Sequence, residues 1–219
     1  MDDRMSSLAD EILCYILSLL PTEQVIATSV LSKRWNLLWR SVPSLDFDTD
    51  NEDFWSLSEK TFNMFYSSVC SFLIDRGDQP LHRFRLRSNF FCDDSKRFNK
   101  LIKDIVSKSD KLQLLDLFAL SNTLVPSVVF SFKTLVVLKL EAIPVEEVFF
   151  VDLPFLKILH LIHITFSIDI DLSQLLSGCP NLEDLKFKGL TCKTKGKFNR
   201  LPKLVRASIR FSCRYFHHI

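Results

Sequence analysis

Apolar residues in the first forty positions recur at helical spacing. In LADEILCYILSLL (residues 8–20), Leu8, Ile12, Leu13, Ile16 and Leu20 fall on one helical face. Ser7, with Asp10 in the first turn, predicts the helix cap. Pro21 predicts its end, since proline lacks an N–H and disfavours helix at the residue before it. A second helix, capped by Thr22, carries Val25, Ile26 and Val30, and Ser32 caps a third. At 100° per residue, Leu31, Trp35, Leu38, Trp39 and Val42 share an arc of about 100°, with Lys33 and Arg40 opposite and Arg34 on the flank. That segregation predicts a helix with a buried stripe. A base-stacking platform would set tryptophan and arginine side by side on one exposed face.

Residues 43–53, PSLDFDTDNED, are acidic and read as a linker. Residues 54–76 predict an amphipathic helix carrying Phe62, Phe65, Val69, Phe72 and Leu73, with Gly77 as its stop signal. From Leu81 the period changes to a repeated template, L-x-x-L-x-L-x-x-φ, where φ is usually apolar. It begins at Leu81, Leu112, Leu135, Leu156, Leu182 and Leu204, at intervals of 31, 23, 21, 26 and 22 residues. Such spacing is that of leucine-rich repeats, roughly 20–29 residues. The longer first unit holds a helix, because Phe98, Leu101, Ile102, Ile105 and Val106 are at i, i+3, i+4, i+7, i+8. The fold predicted is α+β: a small three-helix unit (1–50), a linker and connecting helix (51–80), and an α/β solenoid of about six short repeats (81–219). Each repeat buries its leucines against the next and none is stable alone. The turn slot, often Asn in such repeats, holds Asn89 once, and otherwise Leu120, Ile143, Ile164, Leu190 and Ser212. A weak loop hydrogen-bond ladder is therefore expected, with packing holding the turns.

Composition narrows the function more by exclusion than by assertion. The 219 residues are 47% hydrophobic, enough for a sizeable core, and a net charge of +2 implies no nucleic-acid or membrane partner by itself. The longest apolar run, Ile12–Leu20, is too short to span a bilayer, and the acidic start shows no signal peptide. Six scattered cysteines without a C-x-x-C predict reduced thiols, and so a cytoplasmic or nuclear location. No phosphate loop, G-x-S-x-G or H-E-x-x-H is present. His160 and His163, three apart on a strand, point to opposite faces and predict no metal site. No cofactor is expected. Residues 185–219 carry ten Lys/Arg and no Asp/Glu, which reads as a solvated repeat surface, with anion binding as the sharper alternative.

With these residues laid out, the chain resembles plant F-box/leucine-rich-repeat proteins of the F-box/FBD/LRR type. The stretch from Asp3 to Asp48 resembles an F-box almost end to end, and FKTLVVLKL, LPFLKILHL and LLSGCPNLEDLKFKGL resemble that family's repeats. Two departures stand out. Ala9 occupies the place of a proline that opens the first helix in the family, which predicts weaker adaptor binding. The chain also stops after the sixth repeat, without the family's FBD region, which reads as an uncapped end and a truncated product.

The resemblance implies the substrate receptor of an SCF (cullin-RING) ubiquitin ligase. Such a receptor docks a Skp-type adaptor, and through it a cullin, and holds a target protein for ubiquitination. It needs no catalytic residue, since its contribution is proximity. By position in the motif, Leu8, Ile12, Leu13, Ile16, Leu20, Pro21, Val25, Val30 and Trp35 are the adaptor-binding candidates. The bundle's own core must draw on the same residues, and the sequence leaves the two uses undivided. Trp39 is expected at the junction with the repeats. In the repeats, residues flanking the leucines should share the concave face. That face offers Leu114, Phe118, Val137, Ile158 and Ile162 between basic ends, with Lys139, His160 and Lys186 in the central column. These eight are the target-binding candidates. The alternative reading is a repeat-based protein-binding module that no longer engages a ligase.

Overall fold

The computed structural model describes residues 7–49, 59–89, 95–120, 124–166, 171–190 and 201–211, the side chains of 59–62, 95 and 211 aside. Phe62, Ser212, Cys92, Cys192, Cys213 and Gly196 thus lie, in whole or in side chain, outside the described residues. Three short helices open the molecule: α1 (Asp10–Leu17), α2 (Thr22–Ala27) and α3 (Trp35–Ser41), with a 3-10 turn at Thr28–Val30. Leu13, Leu17, Val25, Trp35, Leu38 and Val42 close a small core between them.

The helix ends differ from the sequence reading. Ala9, not Ser7, sits at the start of α1, and its carbonyl accepts the Ile12 and Leu13 N–H groups at 3.1 Å. Arg34 ties that start down from α3's flank, donating to Asp10 Oδ1 at 2.8 Å and to the Leu8 carbonyl at 2.5 Å. α1 ends at Leu17, ahead of the stop that Pro21 predicts, and Pro21 instead caps α2, its carbonyl accepting Gln24 and Val25. Thr22 is no cap: it lies inside α2, buried, and its hydroxyl accepts the Asp46 N–H at 2.7 Å. Ser32 does face the start of α3, with its hydroxyl 3.4 Å from the Trp35 N–H. Leu31 leaves the expected stripe and is 65% exposed. It precedes the helix, in the turn after Thr28–Val30, so an angle extrapolated back from Trp35 does not apply to it. Nor is Arg40 opposite Trp39, since its guanidinium lies 5.4 Å above that ring.

The solenoid follows in the order β1 (Ser44–Asp48), α4 (Glu59–Asp75), β2 (Arg83–Ser88), α5 (Ser95–Lys108), β3 (Leu114–Ala119), a 3-10 turn (Ser127–Ser131), β4 (Val137–Glu141), β5 (Pro144–Val145), β6 (Ile158–Ile162), β7 (Thr165–Phe166), α6 (Leu172–Ser177), β8 (Asp184–Leu190) and β9 (Arg206–Phe211). Seven strands form one parallel sheet, ordered β1-β2-β3-β4-β6-β8-β9. Its register aligns the repeats as the template requires. Phe84, Leu115, Leu138, Leu159, Leu185 and Ala207 make one row, and Leu86, Leu117, Leu140, Leu161, Phe187 and Ile209 the next. All but Ala207 and Ile209, on the edge strand β9, are buried.

The acidic stretch read as a linker contains β1, which pairs with β2 and adds Leu45 and Phe47 to the same two rows. The alternation S-L-D-F-D puts two apolar residues inward and the acids outward, a period-2 signal that the charge obscures. The described part of the connecting helix, α4, ends at Asp75, and Gly77 follows in the left-handed region at φ 60°.

The turns after the strands share one geometry. Ala142, His163 and Gly189, each at the eighth template position, have φ of 56°, 53° and 65°. Ala142 and His163 donate to the carbonyls of Ile162 and Lys188 in the next repeat. Ile143, Ile164 and Leu190, in the turn slot, are buried. Packing thus holds these turns, as their apolar character predicts, and the backbone adds hydrogen bonds of its own. Gly189→Ala should cost about 1–2 kcal/mol, because an L side chain at that φ is strained. The new Cβ would also stand 2.4 Å from His163 Nδ1, but that exposed ring can swing aside. A urea unfolding midpoint equal to the parent's would refute this.

The helical unit and the solenoid are fastened together. Trp39 packs against both cores, its ring 4.5 Å from Phe72, as expected of a junction residue. Phe47 of β1 meets Phe65, Phe72 and Phe84 at 6.0–6.4 Å. Arg76, 5% exposed, donates to the Val42 carbonyl behind α3 and to the Pro80 carbonyl ahead of β2, the latter at 3.0 Å. Burial pushes its pKa down to about 10.

Candidate functional site: two recognition surfaces

The helical unit divides its apolar residues between a core and a surface. Of the nine adaptor candidates, Leu13, Val25 and Trp35 are consumed by the core; Leu8, Ile16 and Leu20 are half-buried; Ile12, Pro21 and Val30 are exposed. Sequence reasoning missed Tyr15, Leu19, Leu31 and Leu37, all at least 60% exposed. Ile12 and Tyr15, three apart on α1, form a second apolar stripe beside the buried Leu13 and Leu17, and the exposed Leu19 follows in the turn after the helix. The first helix is therefore apolar on two sides, the mark of an element with an inner and an outer partner. Val30, beside Leu31, is 84% exposed.

Ala9 holds φ −65° and ψ 151°, angles that proline adopts without strain. Ala9→Pro should therefore stabilise the fold by about 0.4–1 kcal/mol, by restricting the unfolded chain. It should also tighten adaptor binding. A lower melting temperature, or an unchanged adaptor affinity, would refute the respective half.

On the second surface, the outward columns of the sheet are in register. One runs Ser44, Arg83, Leu114, Val137, Ile158, Asp184, Arg206; the central one runs Asp46, Arg85, Asp116, Lys139, His160, Lys186, Ser208; the third runs Asp48, Arg87, Phe118, Glu141, Ile162, Lys188, Arg210. The eight target candidates thus share one face. Leu114, Phe118, Val137, Lys139, Ile158, His160 and Ile162 are half-buried, and Lys186 is exposed.

One expectation about this face fails, namely that both of its ends are basic. Asp46 and Asp48 of β1 pair with Arg85 at 3.0 Å, while Arg87 lies 3.8 Å from Asp48 and from Glu141 and sits over Phe118 at 4.7 Å. The first strands are therefore charge-balanced. At the other end Asp184 is shared by Arg206 (2.9 Å) and His160 (3.4 Å), beside Lys186, Lys188 and Arg210. Burial lowers the His160 pKa, against the Asp184 hydrogen bond that raises it. Burial raises the Asp116 pKa, against the pull of Lys139, Arg85 and Arg87.

Among the described residues no cluster of three His, Cys, Asp or Glu could hold a metal, and no helix is long and apolar enough to cross a membrane.

A compact helical unit with an outward apolar stripe, fused to a parallel leucine-rich solenoid, defines an F-box/leucine-rich-repeat protein. Family models agree: an F-box domain matches residues 5–47, and the repeats of "FBD-associated F-box protein At5g56370" match residues 102–215. The chain belongs to this plant F-box/leucine-rich-repeat family. Among curated relatives from Arabidopsis thaliana, it is 37% identical to F-box/LRR-repeat protein 13 over 199 residues, covering 87% of this chain and 42% of that one. It is 37% identical to F-box/FBD/LRR-repeat protein At5g22700 over 186 residues (84% and 40%), and 40% identical to F-box/LRR-repeat protein At4g14103 over 195 (84% and 49%). The chain thus spans less than half the length of these relatives.

Proposed function

We propose that the protein is the substrate-recognition subunit of an SCF ubiquitin ligase. Its F-box docks a Skp-type adaptor and through it a cullin, and its repeats hold a target protein for ubiquitin-dependent degradation. The observation that carries the reading is the outer apolar set of the F-box, Ile12, Tyr15, Leu19, Val30, Leu31 and Leu37. The bundle's core is already closed without these six, so they are available to a partner. The chain itself then performs no chemistry. Holding a target lysine near the conjugating enzyme raises its effective concentration. The reading carries with it a cytoplasmic or nuclear location.

Co-purification with a Skp-type adaptor and cullin is the test. Absence of both from the purified complex would overturn it in favour of a repeat-based binding module without ligase engagement. On the other surface, Val137→Asp with Ile158→Asp should abolish target capture, since two neighbouring half-buried apolar residues would become charged. Intact folding together with intact capture would remove the sheet face as the target site.

A further inference from the structure

A cavity of about 350 Å³ opens between α4 and α5, and none of its lining residues belongs to either recognition surface. The volume falls within the range of small-molecule sites, about 300–1,000 Å³. Leu73 and Ile74 of α4 and Leu101 and Ile105 of α5 give it apolar walls. Leu101 and Ile105 are rooted in the core, while Ile74 is 72% exposed, a position that isoleucine rarely takes. The polar group that distinguishes this space is Ser109, directly after α5. Ser109 is only 7% exposed and lines the cavity, and its hydroxyl has no hydrogen-bond partner among the described residues. Buried hydroxyls are ordinarily bonded. An unbonded one beside apolar walls marks the place of a ligand's polar atom.

Charge does not choose the occupant. Lys100, Asp104 and Lys108, along α5, are exposed, so water and salt screen them. Arg76 also lines the cavity, but its guanidinium is already bonded to the Val42 and Pro80 carbonyls. A charged head group brought to Ser109 would give up its water for one neutral hydroxyl. A hydroxyl or carbonyl gives up far less and is matched there, since a serine hydroxyl both donates and accepts.

We infer that this cavity is a ligand site for a small neutral lipophile with one oxygen function. Its hydrocarbon body lies between α4 and α5, and its hydroxyl or carbonyl meets the Ser109 hydroxyl. The site is independent of adaptor and target binding.

The probes are 1-decanol and 2-decanone, below their solubility limits, on the intact 219-residue chain. Decanoate (below its micellar concentration) and decylamine are the charged controls, and butylbenzene is the control without oxygen. Two readouts are used: calorimetric titration, and the iodoacetamide alkylation rate of Cys70, a half-buried cavity residue, followed by peptide mass spectrometry. At least one oxygen probe should bind saturably at one site and slow Cys70 alkylation severalfold, and the tighter of the two tells hydroxyl from carbonyl. Both charged probes should bind more weakly. Ser109→Ala, which removes only the hydroxyl, should weaken the oxygen probe about fivefold and leave butylbenzene unchanged. Leu73→Trp, which fills the cavity, should weaken both. Melting temperatures of the variants control for folding. Failure of both oxygen probes to bind or to protect Cys70, tighter binding of either charged probe, or indifference to Ser109→Ala would each overturn the assignment.

Discussion

Val30→Asp combined with Leu31→Asp should abolish adaptor capture while leaving the fold intact. Val30 and Leu31 are 84% and 65% exposed, and neither belongs to the core formed by Leu13, Leu17, Val25, Trp35, Leu38 and Val42. In the free chain the double change is therefore close to neutral, as surface substitutions generally are. In a complex, two apolar contacts are lost and two carboxylates must be stripped of water against an apolar partner surface. Truncation at central interface positions costs on the order of 2 kcal/mol each, and an unpaired buried charge adds to that. Affinity for a Skp-type adaptor should fall by at least about 100-fold, since each 1.4 kcal/mol is tenfold. Immobilised adaptor titrated with parent and variant gives the ratio, and thermal melting of the free chain controls for folding. Parent-like affinity from the variant would show that this corner of the F-box faces solvent in the complex. Trp35→Ala must give the opposite pattern, a loss of stability by cavity formation, and so cannot report on the interface.

That contrast marks where the sequence stops being informative. A helix that is apolar on two sides shows which residues are apolar but not which side meets its own neighbours. Ile12 and Leu13 are adjacent, both fit a helical stripe, and one is half-exposed while the other is sealed. The sequence stripe passed over Leu17, which is buried, and admitted Leu8 and Leu20, which are only partly covered. The repeats were far more legible. Their two leucine rows obey one template six times over, and the parallel register aligns all six. What the template could not find was β1, because a single strand of five residues has no repeat to confirm it and its acids resemble a linker. Missing β1 then led to the wrong charge for one end of the sheet face. Asp46 and Asp48 are distant from Arg85 in sequence and within salt-bridge reach in space.

Arg76 shows the same limit from the side of energetics. In the sequence it is one arginine before Gly77, at the end of a helix, where a basic residue is unremarkable. In the fold it is a buried brace joining the F-box to the first repeat, through the carbonyls of Val42 and Pro80. Burial takes the guanidinium largely out of water and pushes its pKa down to about 10. Arg76→Ala should cost about 3–5 kcal/mol. It leaves two carbonyls short of a donor, at about 1–3 kcal/mol each, and empties buried space at the junction. Arg76→Lys should recover only part of this, because one ammonium on an unbranched stem cannot present the two-pronged fork that reaches both acceptors. Urea unfolding, followed by tryptophan fluorescence, measures the loss. With Trp55 replaced by Phe, the remaining Trp35 and Trp39 report from in and beside the F-box core, so a variant that uncouples the two cores should show the F-box melting ahead of the solenoid seen by circular dichroism. The parent should melt once, because Trp39, Phe47 and Arg76 tie its two cores into one cooperative unit. If Arg76→Ala unfolds at the parent's midpoint with unchanged slope, the junction is held by the aromatic contacts alone.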